Sequence, residues 1–435
     1  MLAHLNIATF AVVGVLSLVF LWFAAKSTET WLIVAILAHL ILALHRREVE
    51  GTSVFQAVAY SFLFFPGLIW WFAKKISSGG KIVENWAEFM FVLFLFFALM
   101  SIGWAYIDSF SVVKGVREFI LFIPYLMIFP MRDYVAEKGA QKIIWAFLIV
   151  CIVAAISSIV EYRSAIEVAK FFWQVGASRV RANAAIFLGS VIILYGFIAA
   201  KKYNQVLVIA ILSMTTIGLV MTFSRGYWIV AIMGIFILSV ITKGNARKRV
   251  VIFTLISIGS MAAIAFAIFP RMIIDLAEGL LVRFASSNLS DISLQSRFSE
   301  SLAVLQKIKL SPIIGYGLGA EFSFFDPITY QTATTWYIHN GYLWLIFKFG
   351  FVGSFLFLSF YAYMYVKTVS TASRIGGADK IMLLSFVTLM TIMLIINLTS
   401  PQFYDRGGIL VLSMMWGISA GVRKKESASK LGMDG

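Results

Sequence analysis

Residues 201–249 read KKYNQVLVIAILSMTTIGLVMTFSRGYWIVAIMGIFILSVITKGNARKR, and this stretch decides the fold. Two apolar runs, 204–222 and 226–242, are joined only by Thr222-Phe223-Ser224-Arg225-Gly226. Each is close to the roughly 20 residues that a helix needs to cross a bilayer. Lys201-Lys202 precede the pair and the basic cluster Lys243 to Arg249 follows it. Lys and Arg are retained in the cytoplasm, so the stretch reads as a transmembrane hairpin with both ends inside and its turn, carrying Arg225, outside.

The same unit recurs along the chain. Of 435 residues, 61% are hydrophobic and 13% charged, a balance that a soluble domain cannot bury. Apolar runs fall near 7–25, 30–45, 87–107, 118–131, 141–160, 184–200, 204–222, 226–242, 250–269, 340–365, 380–399 and 407–422. The fold class is therefore all-α: a polytopic integral membrane protein, one membrane domain over 1–435, with about 12 transmembrane helices and a range of roughly 12–14. Both termini fall inside. The first run lacks a small-residue cleavage site before the next, so it reads as a retained helix. Residues 54–73 break the alternation, because basic clusters flank them and Pro66-Gly67 interrupts them; they read as a re-entrant or interfacial segment, with a full span under a different N-terminal topology as the alternative.

The formal net charge of +15 follows the membrane topology. Arg46-Arg47, Lys74-Lys75, Arg132 with Lys138 and Lys142, Lys367 to Lys380 and Arg423 to Lys425 all sit in short loops between apolar runs. No basic stripe lies on a soluble segment, which argues against nucleic acid as a partner and for membrane lipids. The single cysteine, Cys151, excludes a disulfide framework and a Cys-based zinc site.

Two outer segments are long: Glu161 to Asn183 and, largest, 271–338. In the second, Phe298, Leu302, Leu305 and Ile308 recur at helical spacing after Ser296, which predicts an amphipathic helix on the outer surface, capped by Ser296 and ended by Pro312, with Arg297 in its first turn. Gly315, Gly317 and Gly319 predict a flexible approach to the aromatic stretch Glu321 to Tyr337.

The chemistry belongs to the few polar groups at the outer boundary, where an unpartnered charge is costly. Arg225 lies in the hairpin turn, Arg179 and Arg181 precede the run beginning near Ala184, and Arg117 opens another run on the same side. Guanidinium forks suit bidentate binding of phosphate or pyrophosphate. Arginines at helix ends also snorkel to lipid headgroups, a role open to each of Arg117, Arg179 and Arg181. Of the histidines His4, His39, His45 and His339, only the last lies where the large outer loop re-enters the membrane. A neutral imidazole at that depth suits removal of a proton from an attacking hydroxyl. Asp275, Asp291, Asp326 and Asp405 are scattered and lack ligand spacing, so neither a metal nor a cofactor is expected. A transporter, with the arginines as an anion site and His339 as a proton relay, is the alternative from another class; the absence of an evident internal repeat and the boundary position of the polar groups weigh against it.

Arg225 in Thr-Phe-Ser-Arg-Gly, Ser296-Arg297-Phe298, Ser311-Pro312 with Gly315-Tyr316-Gly317, His339-Asn340-Gly341-Tyr342 and Phe349-Gly350-Phe351-Val352-Gly353 follow one another in this order. That succession resembles the O-antigen ligase and O-antigen polymerase family of bacterial envelopes, most strongly from about Arg179 to Gly353. The resemblance implies a GT-C-like, multi-pass inner-membrane glycosyltransferase with a large, partly helical periplasmic loop. It implies transfer of a glycan from undecaprenyl diphosphate to a hydroxyl, with inversion and without metal. The acceptor would be lipid A–core for a ligase or a second lipid-linked repeat for a polymerase. By position, it makes Arg225 and Arg297 the groups that neutralise the departing diphosphate and His339 the base. Arg181, Arg179 and Arg117 become further anion-binding candidates, and Asn340 and Tyr342 substrate-binding neighbours of His339.

Overall fold

The computed structural model describes residues 14–15, 18–19, 22–23, 27–40, 54–168, 183–222, 224–268 and 292–430. Its helices are α1 (Thr28–Leu37), α2 (Val54–Ser77), α3 (Trp86–Ile107), α4 (Val112–Ile120), α5 (Ile128–Lys138), α6 (Gln141–Val168), α7 (Ala184–Ala200), α8 (Gln205–Met221), α9 (Arg225–Ile241), α10 (Gly244–Ile268), α11 (Ile292–Leu310), α12 (Gly341–Arg374), α13 (Gly377–Ile396) and α14 (Arg406–Lys430). Strands β1 (Phe322–Asp326) and β2 (Gln331–Thr335) lie between α11 and α12.

Four described helical segments are long and apolar enough to cross a membrane: Trp86–Ile107, Gln141–Glu161, Gly341–Arg374 and Gly377–Ile396. Shorter apolar helices, α1, α7, α8 and α9, complete the same bundle. On α9 the residues Ile229, Ile232, Phe236 and Val240 are exposed at intervals of three and four, so one stripe of an apolar helix faces outward. An outward stripe without polar residues is the pattern that lipid stabilises and water does not. α7 is the opposite case: Ala184 to Ala199 are buried all round. Its close neighbours are admitted by glycines, since a Cβ at Gly196 would lie 2.1 Å from Ser385 Oγ and one at Gly189 would lie 3.0 Å from Val411 Cγ2.

Three expectations are corrected here. The run 118–131 is not one span. It forms the end of α4, a 3₁₀ turn at Ile123–Met127 and the start of α5. Pro124 sits at the start of that turn, where its missing N–H is not needed. The expected break at Pro66-Gly67 is absent, because residues 54–73 lie in one helix that runs through it. The Trp31 indole packs where a Gly67 Cβ would stand, 2.1 Å from Trp31 Cδ1, so helix–helix packing overrides the breaker signal. The all-α class needs one amendment as well, because Glu321 to Tyr337 contains an antiparallel hairpin with Phe322 opposite Thr335 and Asp326 opposite Gln331.

α12 contains a break that the sequence motifs explain. Gly350 takes φ 60° and ψ −166°, which L side chains rarely adopt. The break frees backbone groups inside an apolar element, where each unpaired group is costly. The loop Pro312–Gly317 satisfies them: N–H of Tyr316 donates to Phe347 C=O (2.8 Å), N–H of Gly317 to Lys348 C=O (2.8 Å), N–H of Phe351 to Pro312 C=O (2.8 Å) and N–H of Val352 to Ile313 C=O (3.1 Å). Gly315, Gly317 and Gly319 are thus pinned, not flexible. A Cβ at Gly317 would lie 2.1 Å from Ser101 O.

Candidate functional site

α11 runs from Ile292, so Ser296 lies inside it and not at its cap, and Arg297 lies in its second turn. The Ser296 hydroxyl instead donates to Asp326 Oδ1 (2.7 Å), and Ser299 donates to Phe325 C=O (2.6 Å), joining α11 to the hairpin. The predicted apolar face divides. Phe298, Leu302 and Leu305 are exposed, while Val304 and Ile308 are buried. Glu300 precedes Val304 by four residues and shares the buried face, with 4% of the residue exposed.

Glu300 reaches the start of α12. Its Oε1 accepts the backbone N–H of His339 (2.8 Å), and its Oε2 lies 2.8 Å from His339 Nδ1. The imidazole is 31% exposed and stands edge-on to Tyr337, ring centroids 5.0 Å apart. Arg297, half-buried, is one helical turn from Glu300; its guanidinium makes no hydrogen bond or ion pair among the described residues.

Both helix starts that carry candidate residues pack on one turn, Asn397 to Asp405. The Gly341 N–H donates to Asn397 C=O (2.8 Å) and the Ile338 N–H to the Tyr404 hydroxyl (3.4 Å). On the α9 side, the Tyr227 hydroxyl lies 3.0 Å from Ser400 Oγ and accepts from Gln402 Nε2 (2.6 Å). A Cβ at Gly226 would meet Ile396 and Thr399. Arg225, the first residue of α9, is half-buried beside this turn. Asp405 ends it: burial raises its carboxyl above the usual range, opposed by the Gly408 N–H, which donates to Oδ2 at 3.1 Å, and by the Arg406 charge.

The remaining candidates divide as follows. Asn340 caps α12, its Oδ1 accepting from the N–H groups of Tyr342 (3.0 Å) and Leu343 (3.1 Å). The Tyr342 hydroxyl donates to Leu394 C=O (2.8 Å). Arg117 lies in the last turn of α4, half-buried, with Nε unpaired among the described residues. It neighbours Glu118, whose partner Lys348 is nine residues beyond His339, about 13 Å along α12. Arg179 and Arg181 lie outside the described residues, as do most of Glu161 to Asn183 and the first part of the loop, 271–291. Among the described residues, no cluster of three or more His, Cys, Asp or Glu has the arrangement of a metal site.

Glu300, Glu118 and Lys348 are the contributors that the sequence reading passed over. The signal for Glu300 was its spacing of four and eight residues from Val304 and Ile308. For Lys348 it was a lone charge amid apolar residues, which asks for a partner; Glu118, beside Arg117 and four residues after Lys114, carried no such signal.

A search of the curated proteins finds no match. A family model does match, over about a third of the chain, and the matched segment holds Arg225, Arg297, Glu300 and His339. Its members are glycosyltransferase-like ligases and polymerases, so the match supports an enzyme. Residues 209–358 thus match the O-antigen ligase family, the one that the motifs from Arg225 to Gly353 resemble.

Proposed function

We propose that the chain is an inner-membrane glycosyltransferase, crossing the membrane about 12 times, that transfers a glycan from undecaprenyl diphosphate to a hydroxyl of lipid A–core at the outer face, with inversion and without metal. The observation that carries this reading is the His339 ring, held at Nδ1 and partly exposed, inside the segment that matches the O-antigen ligases.

The electrostatics fit the reaction. The leaving group is already a diphosphate, so the protein supplies position and positive charge where negative charge grows. Arg225 and Arg297 provide that charge, with Arg117, Arg179 and Arg181 as further anion contacts. His339 takes the proton of the acceptor hydroxyl. The bond from the anomeric carbon to the diphosphate oxygen breaks as the acceptor oxygen bonds to that carbon from the opposite face. Asn340 and Tyr342 keep the base on a rigid helix start, through the cap and the Leu394 contact.

The test is transfer in vitro. Purified protein receives the undecaprenyl-diphosphate-linked glycan with EDTA, and lipid A–core competes with a second lipid-linked repeat. Transfer to lipid A–core that His339→Ala and Arg225→Ala both lose supports the ligase; transfer to the repeat makes the chain a polymerase of the same chemistry. Folded protein that transfers to neither, but moves anions across proteoliposomes, would overturn the proposal.

A further inference from the structure

Glu300 stands where no motif placed a functional group. It lies on the outer-loop helix α11, 39 residues before His339, and is nearly excluded from water. Both carboxylate oxygens are spent on His339, one on the backbone N–H and one on Nδ1. A carboxylate only accepts hydrogen bonds, so the ring nitrogen facing it must be the protonated one. The neutral imidazole therefore carries its proton on Nδ1 and its lone pair on Nε2. This inference rests on the proposed reading of His339 as the base.

We propose that Glu300 is a positioning residue for His339: it fixes the ring with Nδ1 protonated and leaves Nε2 as the base for the acceptor hydroxyl. In the step, the acceptor O–H gives its proton to Nε2 and its oxygen forms the bond to the anomeric carbon. The diphosphate departs with the electron pair of the broken bond. The imidazolium so formed carries a proton on each nitrogen and lies against the Glu300 carboxylate, which stabilises it without taking the proton. The proton on Nε2 then passes to water. Glu300 is not itself the base, because its carboxylate is nearly excluded from water and both oxygens face His339.

The wider consequence concerns the loop. α11 is tied to the hairpin through Ser296 to Asp326 and Ser299 to Phe325, and to α12 through Glu300. The contact that seats the loop helix on α12 is the same one that fixes the tautomer of the base.

The experiment uses the full chain in nanodiscs, comparing the parent with Glu300→Gln, Glu300→Asp, His339→Ala and the double variant His339→Ala/Glu300→Gln. Glutamine keeps the size but presents an N–H to the ring, which moves the ring proton to Nε2. Expected are a fall in kcat of about 10²-fold or more for Glu300→Gln with KM nearly unchanged, and partial recovery in Glu300→Asp. The double variant should be no slower than His339→Ala, since two residues acting as one unit are not additive. ¹⁵N-histidine spectra, with His339 assigned by loss of its signals in His339→Ala, give a readout independent of turnover: protonated Nδ1 in the parent and protonated Nε2 in Glu300→Gln. Parent-like kcat in Glu300→Gln, a further full-sized loss in the double variant, or protonated Nε2 in the parent would each overturn the inference. If His339→Ala transfers as fast as the parent, or the parent transfers nothing, the proposed function fails instead, and the spectra still decide whether Glu300 sets the ring.

Discussion

Lys348 Nζ lies 2.8 Å from Glu118 Oε2 and 3.0 Å from Oε1, and the same ammonium donates to Ala320 C=O at 2.8 Å. Glu118 Oε2 also accepts the Gly319 N–H at 3.1 Å. One ion pair therefore ties α4, the loop after α11 and the break in α12 together. Both side chains are closed off from water, Lys348 completely. Lys348→Met leaves a buried carboxylate without its counter-charge and should lower stability by on the order of 3–5 kcal/mol, whereas Lys348→Met/Glu118→Leu should recover most of it. Thermal unfolding in detergent checks this; equal melting of the single and double variants would mean that the pair holds nothing.

Gly317→Ala should prevent accumulation of folded protein. The position has φ 80°, and the added Cβ would lie 2.1 Å from the backbone oxygen of Ser101, which has no room to retreat within α3. Gly376→Ala is the control, since its φ is −119° and nothing stands within 4 Å of the added carbon. Size-exclusion yield of the two variants compares them directly. Parent-like yield for Gly317→Ala would show that the loop does not sit against α3.

On the proposed reaction, Arg297→Lys keeps the charge but loses the planar fork that grips a diphosphate. Transfer should fall roughly tenfold to hundredfold, about 1.4–2.8 kcal/mol of transition-state stabilisation. Arg225→Ala should cost more than Arg117→Ala, because Arg225 shares its supporting turn with His339. Initial rates with matched thermal melting decide it, and a larger loss for Arg117→Ala would move the anion site toward α4.

The contact between α11 and the hairpin should weaken in acid. The Ser296 hydroxyl, aided by the Ile328 N–H and the Thr329 hydroxyl, holds the Asp326 carboxyl below its ordinary range of about 3.8. A carboxyl depressed on folding contributes stability that is present above its unfolded value and is lost as pH falls through the folded one. Exposure of Asp326 keeps the effect modest. Hydrogen exchange at Ile328, corrected for intrinsic rates, should quicken below about pH 4 in the parent and be pH-insensitive in Asp326→Asn.

The membrane class and the helix around Phe298 to Ile308 were legible in the sequence, because each rests on local composition: apolar runs of bilayer length and helical spacing. The order of short motifs also carried the family, which the match over 209–358 bears out. What the glycine motifs do was not legible. Gly315 to Gly319 and Gly350 serve each other across a broken helix, and backbone pairing between distant segments leaves no periodicity to read. The same holds for Glu300, Glu118 and Lys348. A charge at a polar helix position or inside an apolar run says that a partner is needed; only the packing of α4, α11 and α12 decides which one it meets. Sequence set the solvent of each element, and tertiary structure chose the neighbours, since burial makes a lone charge costly but does not select the residue that compensates it.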